Sequence, residues 1–321
     1  MSDFYDANVV LIQATFIGLM LALSIQVPLR MGVFSFAGAG SYGIGAYLAG
    51  IVTLKFATPG FAAVLLAMVV AGAIGLLLGL LIARLAGLYL AMATVAFDLI
   101  ISVLAVNGGD LTGGPTGLFG VLSDFGTLQV AMVTLVVLAG VALSELGRTR
   151  RRVDAVRDDP ELAASMGISV RRYRLVGFVV SGALGGAAGA MNMLVRSTVS
   201  PQDIGFGLIV LALTMIIVGG ARSWKGAVLG AVIFTWLPEL LGAVGEWQAL
   251  IYGLVVAFAA VFLPRGIHGL VVDAQRRLQR RGRDRSLEGT AGVVGVPGDD
   301  DPEQDEAIAV LKETSEVEAA P

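Results

Sequence analysis

The chain has 321 residues, of which 56% are hydrophobic and only 15% charged, and its mean hydropathy is +0.83. This composition excludes a soluble globular protein and indicates a polytopic integral membrane protein. The chain has no cysteine and a single histidine, His268, which excludes disulfides, thiolate metal sites and histidine-based triads or metal clusters. The net charge of −3 averages a basic and an acidic segment near the C-terminus.

Successive apolar runs are long enough to cross a bilayer, which takes about 20 residues for each helix. We therefore predict an all-α, polytopic transmembrane helical bundle of about nine spans (eight to ten) over residues 1–270. The predicted spans are 9–29, 33–54, 61–83, 88–106, 127–145, 174–195, 204–221, 225–243 and 247–263. The first run lacks a basic start and a cleavage-like site, so we expect it to be a retained helix.

The second span is the least regular of these runs. Its segment Ser35–Gly50 is so rich in glycine and small polar residues that we expect a broken or re-entrant helix. Irregular backbone survives at membrane depth only against protein or a water-filled cavity, which places this segment on a candidate translocation route. The candidate pathway residues here are Ser35, Gly38, Gly40, Ser41, Tyr42 and Gly43.

Other glycines recur four residues apart inside apolar runs, a spacing that lets helix backbones approach closely in lipid. We predict tight packing, and no substrate contact, at these positions. The pairs are Gly75 and Gly79, Gly182 and Gly186, Gly185 and Gly189, and Gly226 and Gly230.

Asp98 lies in the middle of the fourth span, where an ionised carboxylate is costly and an acid is a candidate functional residue. Three roles stay open: contact with a substrate ammonium group, proton transfer, or a hydrogen bond from the protonated acid to a neighbouring helix.

The loop Asn107–Gly120 follows the fourth span. We expect it to lie outside the membrane, over the mouth of the pathway, and its candidate pathway residues are Thr112, Gly113 and Gly114. It lacks a Gly-Lys-Ser/Thr ending, so we reject a phosphate-binding loop.

The fifth and sixth spans are joined by a polar loop, residues 147–173. Together with Arg174, the first residue of the sixth span, this polar segment contains eight arginines and four acids. One short helix is predicted in it, because Asp158 or Asp159 can cap it, Pro160 suits its first position and Gly167 can end it. An ordinary amphipathic loop on anionic lipid is the alternative. Because so short a helix is marginal alone, we expect it to pack against a partner.

The distribution of basic residues predicts the orientation. With the N-terminus outside, nine spans leave only Lys55 and Arg196 of the 22 basic residues outside. The C-terminus is then cytoplasmic. Residues 271–321 form a predicted cytoplasmic tail, basic over Arg276–Arg285 and acidic over Asp299–Glu318, with the composition of a disordered segment.

The polar segment resembles the cytoplasmic loop of bacterial ABC importer permeases, in particular the branched-chain amino acid family of the LivM and LivH type. Glu161, Ala163 and Gly167 match the loop's Glu-Ala-Ala-x-x-x-Gly pattern, with Leu162 in place of the first alanine, and Ala155–Asp159 is similar to its lead-in. In that family the loop seats in a groove of the ATPase. The resemblance implies the coupling residues Arg157, Asp158, Asp159, Glu161, Leu162, Ala163, Met166 and Gly167.

Three further stretches extend the resemblance: Ser35–Phe36 with Gly43–Tyr47, Thr112–Leu118, and Phe262–Gly266. Two departures concern the substrate. Ala37 and Gly38 replace the polar residue that often follows the Ser-Phe pair, and Asp98 stands where an uncharged residue is expected. Related permeases import urea and short amides, so these substrates stay open beside branched-chain amino acids.

The resemblance implies a permease subunit of the bacterial plasma (inner) membrane with no ATPase site of its own. No cofactor or metal is expected on this chain, since ATP and magnesium would bind to partners. The expected partners are a second permease in a heterodimer or homodimer, two cytoplasmic ATPase subunits, an extracytoplasmic binding protein and membrane lipid, without nucleic acid. Two alternatives stay open: a proton-coupled secondary transporter that uses Asp98, and a membrane scaffold that does not transport.

Overall fold

The computed structural model describes residues 2–82, 84–262, 266, 267 and 269. Within these ranges the chain forms eleven α-helices, four 3₁₀ turns and one antiparallel pair of two-residue strands. The helices are α1 (Ser2–Arg30), α2 (Ala37–Phe56), α3 (Gly60–Leu81), α4 (Gly87–Asn107), α5 (Thr127–Ser144), α6 (Gly147–Asp158), α7 (Pro160–Ser165), α8 (Val170–Arg196), α9 (Phe206–Gly219), α10 (Trp224–Leu241) and α11 (Gln248–Phe262). The strands are β1 (Leu118–Phe119) and β2 (Thr198–Val199).

The all-α polytopic bundle is confirmed, because each predicted span coincides with one helix. In the described part of the chain, eight helical segments are long and apolar enough to cross a membrane, and the one containing α9 is counted from Pro201. The ninth predicted span corresponds to α11, which has 15 residues. The predicted tail and part of the Phe262–Gly266 motif lie outside the described residues.

The packing centre of the bundle is α8, which contacts α2 and α3 through two rows of glycine. A β-carbon at Gly182 would collide with the carbonyl oxygen of Ala71 on α3, and one at Gly185 with the carbonyl oxygen of Gly38 on α2. The helices are therefore in direct backbone contact at these points. This confirms the tight packing predicted from the glycine spacing.

The prediction of a broken second span is wrong, because α2 is an uninterrupted helix. Its glycines are contact points: a β-carbon on Gly45 would collide with the backbone of Gly186 on α8, and one on Gly40 would lie 3.2 Å from the Cα atom of Asp98 on α4. Close helix packing, and not irregular backbone, accounts for the glycine-rich sequence.

Irregular backbone occurs instead just before α9. This helix has 14 residues and is about 21 Å long at 1.5 Å per residue, shorter than the roughly 30 Å of hydrocarbon in a bilayer. The 3₁₀ turn Pro201–Asp203 precedes it, and the buried Ile204 packs beside Gly43 of α2. The link between α8 and α9 therefore packs against the candidate pathway segment of α2.

Candidate functional site

The start of α7 is fixed by Asp159. One oxygen of this carboxylate accepts hydrogen bonds from the backbone N–H groups of Glu161 (3.1 Å) and Leu162 (2.9 Å), and Pro160 occupies the first helical position. Of the two acids predicted as caps, the structure selects Asp159. Asp158 instead accepts a hydrogen bond from Nε of Arg157 at 2.9 Å, which lowers the pKa of Asp158.

The end of α7 is fixed by Gly167, whose φ of +79° is left-handed, as predicted. Its N–H group donates to the carbonyl of Ala164, and the N–H group of Ile168 donates to the carbonyl of Ala163, both at 3.0 Å. This pair of hydrogen bonds is the Schellman arrangement, which satisfies carbonyls that the helix end leaves open. Both ends of this six-residue helix are therefore capped.

The two faces of α7 differ sharply in exposure. Ala163 is completely buried, whereas the side chains of Leu162 and Met166 are 55% and 59% exposed. These two residues lie four positions apart, on one face, and we call them the apolar knob. The exposed leucine and methionine therefore lie together on the surface of a helix that is capped at both ends.

The sequence did not predict α6, since a single helix was expected in the polar segment. Val153 and Val156 of α6 are buried, and Asp154 forms ion pairs of 3.6 Å with Arg150 and Arg157. These ion pairs follow helical spacing and offset part of the repulsion among the arginines. The two valines are the signal that was missed, because they place one apolar face on an otherwise basic stretch.

Glu145, just after α5, was also missed. Its carboxylate forms an ion pair with Arg30 at 3.1 Å, and the two side chains are only 12% and 8% exposed. It also accepts hydrogen bonds from the backbone N–H group of Trp224 (2.7 Å) and from the hydroxyl group of Ser223 (3.2 Å). One buried carboxylate therefore joins the ends of α1 and α5 to the start of α10, at the end of the bundle that carries α6.

The candidate pathway residues of the second span are all buried. They are Ser35, Gly38, Gly40, Ser41, Tyr42 and Gly43. Asp98 is 0% exposed, and neither of its carboxyl oxygens has a hydrogen-bond partner among the described residues. The hydroxyl group of Ser41 is unpaired in the same sense. Of the three roles considered for Asp98, the interhelical hydrogen bond is therefore not formed in this structure.

The candidate residues of the loop between α4 and α5 lie apart from Asp98. The hydroxyl group of Thr112 donates to the carbonyl of Ala105 at 2.7 Å, which ties the loop to the end of α4, and both Gly113 and Gly114 have left-handed φ angles. Asp98 lies nine residues before the end of α4, about 14 Å along its axis. Strand β1 then pairs with β2, so the loop is fastened to the link between α8 and α9.

Most of the chain matches one known protein family. The family described as branched-chain amino acid transport system, permease component, matches residues 8–263. The chain belongs to this family. The permease is 28% identical over 288 residues to the high-affinity branched-chain amino acid transport system permease protein LivM of Escherichia coli, an alignment that covers 79% of this chain and 68% of the relative.

Other relatives point to the same family. The LivM protein of Salmonella typhimurium shows the same identity and coverage. The permease is also 28% identical over 169 residues to the high-affinity branched-chain amino acid transport system permease protein BraD of Pseudomonas aeruginosa, covering 50% of this chain and 53% of the relative. No solved structure matches the permease. The identified family is the one that the motif resemblance indicated.

Proposed function

We propose that the permease is one half of the membrane channel of an ATP-driven importer, and that α7 docks on an ATPase subunit. The observation that carries this proposal is the apolar knob, Leu162 and Met166, exposed on a helix whose two ends are fixed by Asp159 and Gly167. The basic residues support a cytoplasmic position for α6 and α7. The complete importer would contain a second permease, two ATPase subunits and an extracytoplasmic binding protein.

The connection from α7 to the pathway is short. Only four residues separate the end of α7 from the start of α8, and two of them, Gly167 and Ile168, donate the hydrogen bonds that close α7. Displacement of α7 by the ATPase would therefore act on α8, whose backbone contacts α2 directly. In turn, α2 contacts α4 beside Asp98. A continuous set of packed helices therefore connects α7 to the candidate pathway residues.

The proposed substrates are branched-chain amino acids, which the names of the relatives indicate. A zwitterionic amino acid carries an ammonium group, and Asp98 is a buried carboxyl group whose oxygens are unpaired in the described part of the chain. We propose that Asp98 provides the charge that attracts this ammonium group during passage. Urea and simple amides lack an ammonium group, so they could offer this carboxylate only neutral N–H donors, which bind it more weakly than a charged ammonium group.

The test is leucine uptake by proteoliposomes that contain the permease with its partner permease, ATPase subunits and binding protein. We expect ATP-dependent uptake, and we expect Leu162→Glu with Met166→Glu to abolish it while leaving the amount of permease in the membrane unchanged. Leu122→Glu is the matched control, because Leu122 is 89% exposed but lies in the link between α4 and α5. Normal uptake by the double variant would overturn the assignment of α7.

A second arm separates the importer from a secondary transporter. The permease alone, in proteoliposomes with a pH gradient and without ATP, should show no leucine uptake. Uptake under these conditions that is lost on Asp98→Asn would instead establish proton coupling by Asp98.

A further inference from the structure

A cleft of about 570 Å³ opens where α3 ends, α4 begins and α8 begins. We call it the basic cleft, because it is lined by Arg84, Arg171 and Arg174 and by no acidic residue. It lies at the end of the bundle that carries α6 and α7, since α8 follows α7 directly. Neither the family assignment nor the proposed transport function gives this cleft a role.

In the described part of the chain, none of the three arginines of the basic cleft forms an ion pair. The ion pairs found there are formed by Arg30, Arg150 and Arg157. Arg171 and Arg174 are three residues apart in the first turns of α8, so they lie on one face of the helix. The first turn of α8 contains no acid. Cations are unfavourable at this positive end of the helix dipole. A bound anion would offset the repulsion between the arginines and the helix end, and also the repulsion among the arginines themselves.

The remaining wall of the cleft is apolar and includes Val33, Leu85 and Phe178. The surface beside it is also apolar, since Leu81 and Leu88 are 81% and 74% exposed at the facing ends of α3 and α4. An inorganic anion gains nothing from such a wall. A phospholipid gains from both parts, because its phosphate meets guanidinium groups and its glycerol and acyl carbons meet apolar side chains.

We propose that the basic cleft binds the headgroup of an anionic glycerophospholipid. Its phosphate accepts hydrogen bonds from Arg171 and Arg174, Arg84 closes the site from the α3 side, and an acyl chain leaves along Leu85 and Leu88. The bound lipid holds the start of α8 against α3 and α4. This proposal does not depend on which substrate the permease carries.

The test is native mass spectrometry of the full-length permease, purified in detergent and titrated with phosphatidylglycerol, phosphatidylcholine or inorganic phosphate. We expect retained phosphatidylglycerol and little phosphatidylcholine. Each arginine contributes about fivefold to affinity for an anionic headgroup, so Arg171→Gln with Arg174→Gln should weaken phosphatidylglycerol binding about 25-fold. The same two positions changed to lysine keep the charge and should retain most of the binding.

The matched control is Arg151→Gln with Arg152→Gln, which removes the same charge from exposed positions of α6 outside the cleft. We expect it to bind phosphatidylglycerol like the unmodified permease. Three results would overturn the proposal: equal loss in both glutamine variants, equal retention of phosphatidylcholine, or displacement of the lipid by millimolar phosphate, which would assign the cleft to a free anion.

Discussion

Replacing Asp159 by alanine tests whether the permease needs α7 as a preformed helix. The change removes the acceptor of two hydrogen bonds, at 3.1 Å from the N–H group of Glu161 and 2.9 Å from that of Leu162. Loss of such a cap costs about 1 kcal/mol, or about fivefold in the ratio of formed to unformed helix. Isolated helices shorter than about 12 residues are only marginally stable, and α7 has six residues. Its own stability therefore cannot offset the loss of the cap.

The assay is the ratio of leucine taken up to ATP hydrolysed in proteoliposomes that contain the complete importer. We expect Asp159→Ala to lower this ratio by up to about fivefold and Asp159→Asn, which can still cap the helix, to preserve most of it. Asp154→Ala is the control, because it removes a carboxylate of α6 that pairs with Arg150 and Arg157 and does not cap α7. Equal coupling in Asp159→Ala and Asp154→Ala, or equal loss in Asp159→Ala and Asp159→Asn, would refute the reasoning.

Three further changes probe the bundle. Glu145→Gln leaves the buried Arg30 without its counter-charge and should cost about 3 to 5 kcal/mol, seen as a lower Tm in detergent; a Tm equal to that of the unmodified permease would contradict the buried pair. Gly185→Ala should cost about 1 to 3 kcal/mol because its methyl group meets the backbone of α2. Gly140→Ala on α5 meets nothing within 4 Å and should be neutral or slightly stabilising, since alanine favours helix more than glycine does. Asp98→Leu should raise the Tm by removing unpaired buried oxygens yet reduce uptake; unchanged uptake would remove Asp98 from the pathway.

The elements that could be predicted from the sequence are those set by local chemistry. The spans follow from apolar length alone, and the bounds of α7 follow from Asp159, Pro160 and Gly167, whose roles depend on immediate neighbours. The glycine pairs predicted close packing correctly because their spacing places them on one helix face. None of these inferences needs a long-range contact.

The errors came where a composition has two physical explanations. Glycine in Ser35–Gly50 fits either irregular backbone or helices in contact, and only the facing glycines of α8 decide for contact. The arginine-rich stretch of α6 fits either a polar loop or a helix with one apolar face, and only the burial of Val153 and Val156 decides for the helix. The bridging role of Glu145 depends on groups 79 and 115 residues away in sequence, from α10 and α1, so no local pattern reveals it.

Site-directed cross-linking tests the docking of α7 most directly, because the chain contains no cysteine of its own. Cysteine is introduced at Leu162 or Met166 of the apolar knob, or at the exposed Leu122 as a control, and the assembled importer is labelled with a short maleimide–diazirine reagent, whose photoactivated end inserts into any neighbouring C–H or N–H bond. We predict that Leu162→Cys and Met166→Cys give a covalent product with the ATPase subunit and that Leu122→Cys gives none. Absence of the product at both knob positions, with the ATPase present in the purified complex, would contradict the account.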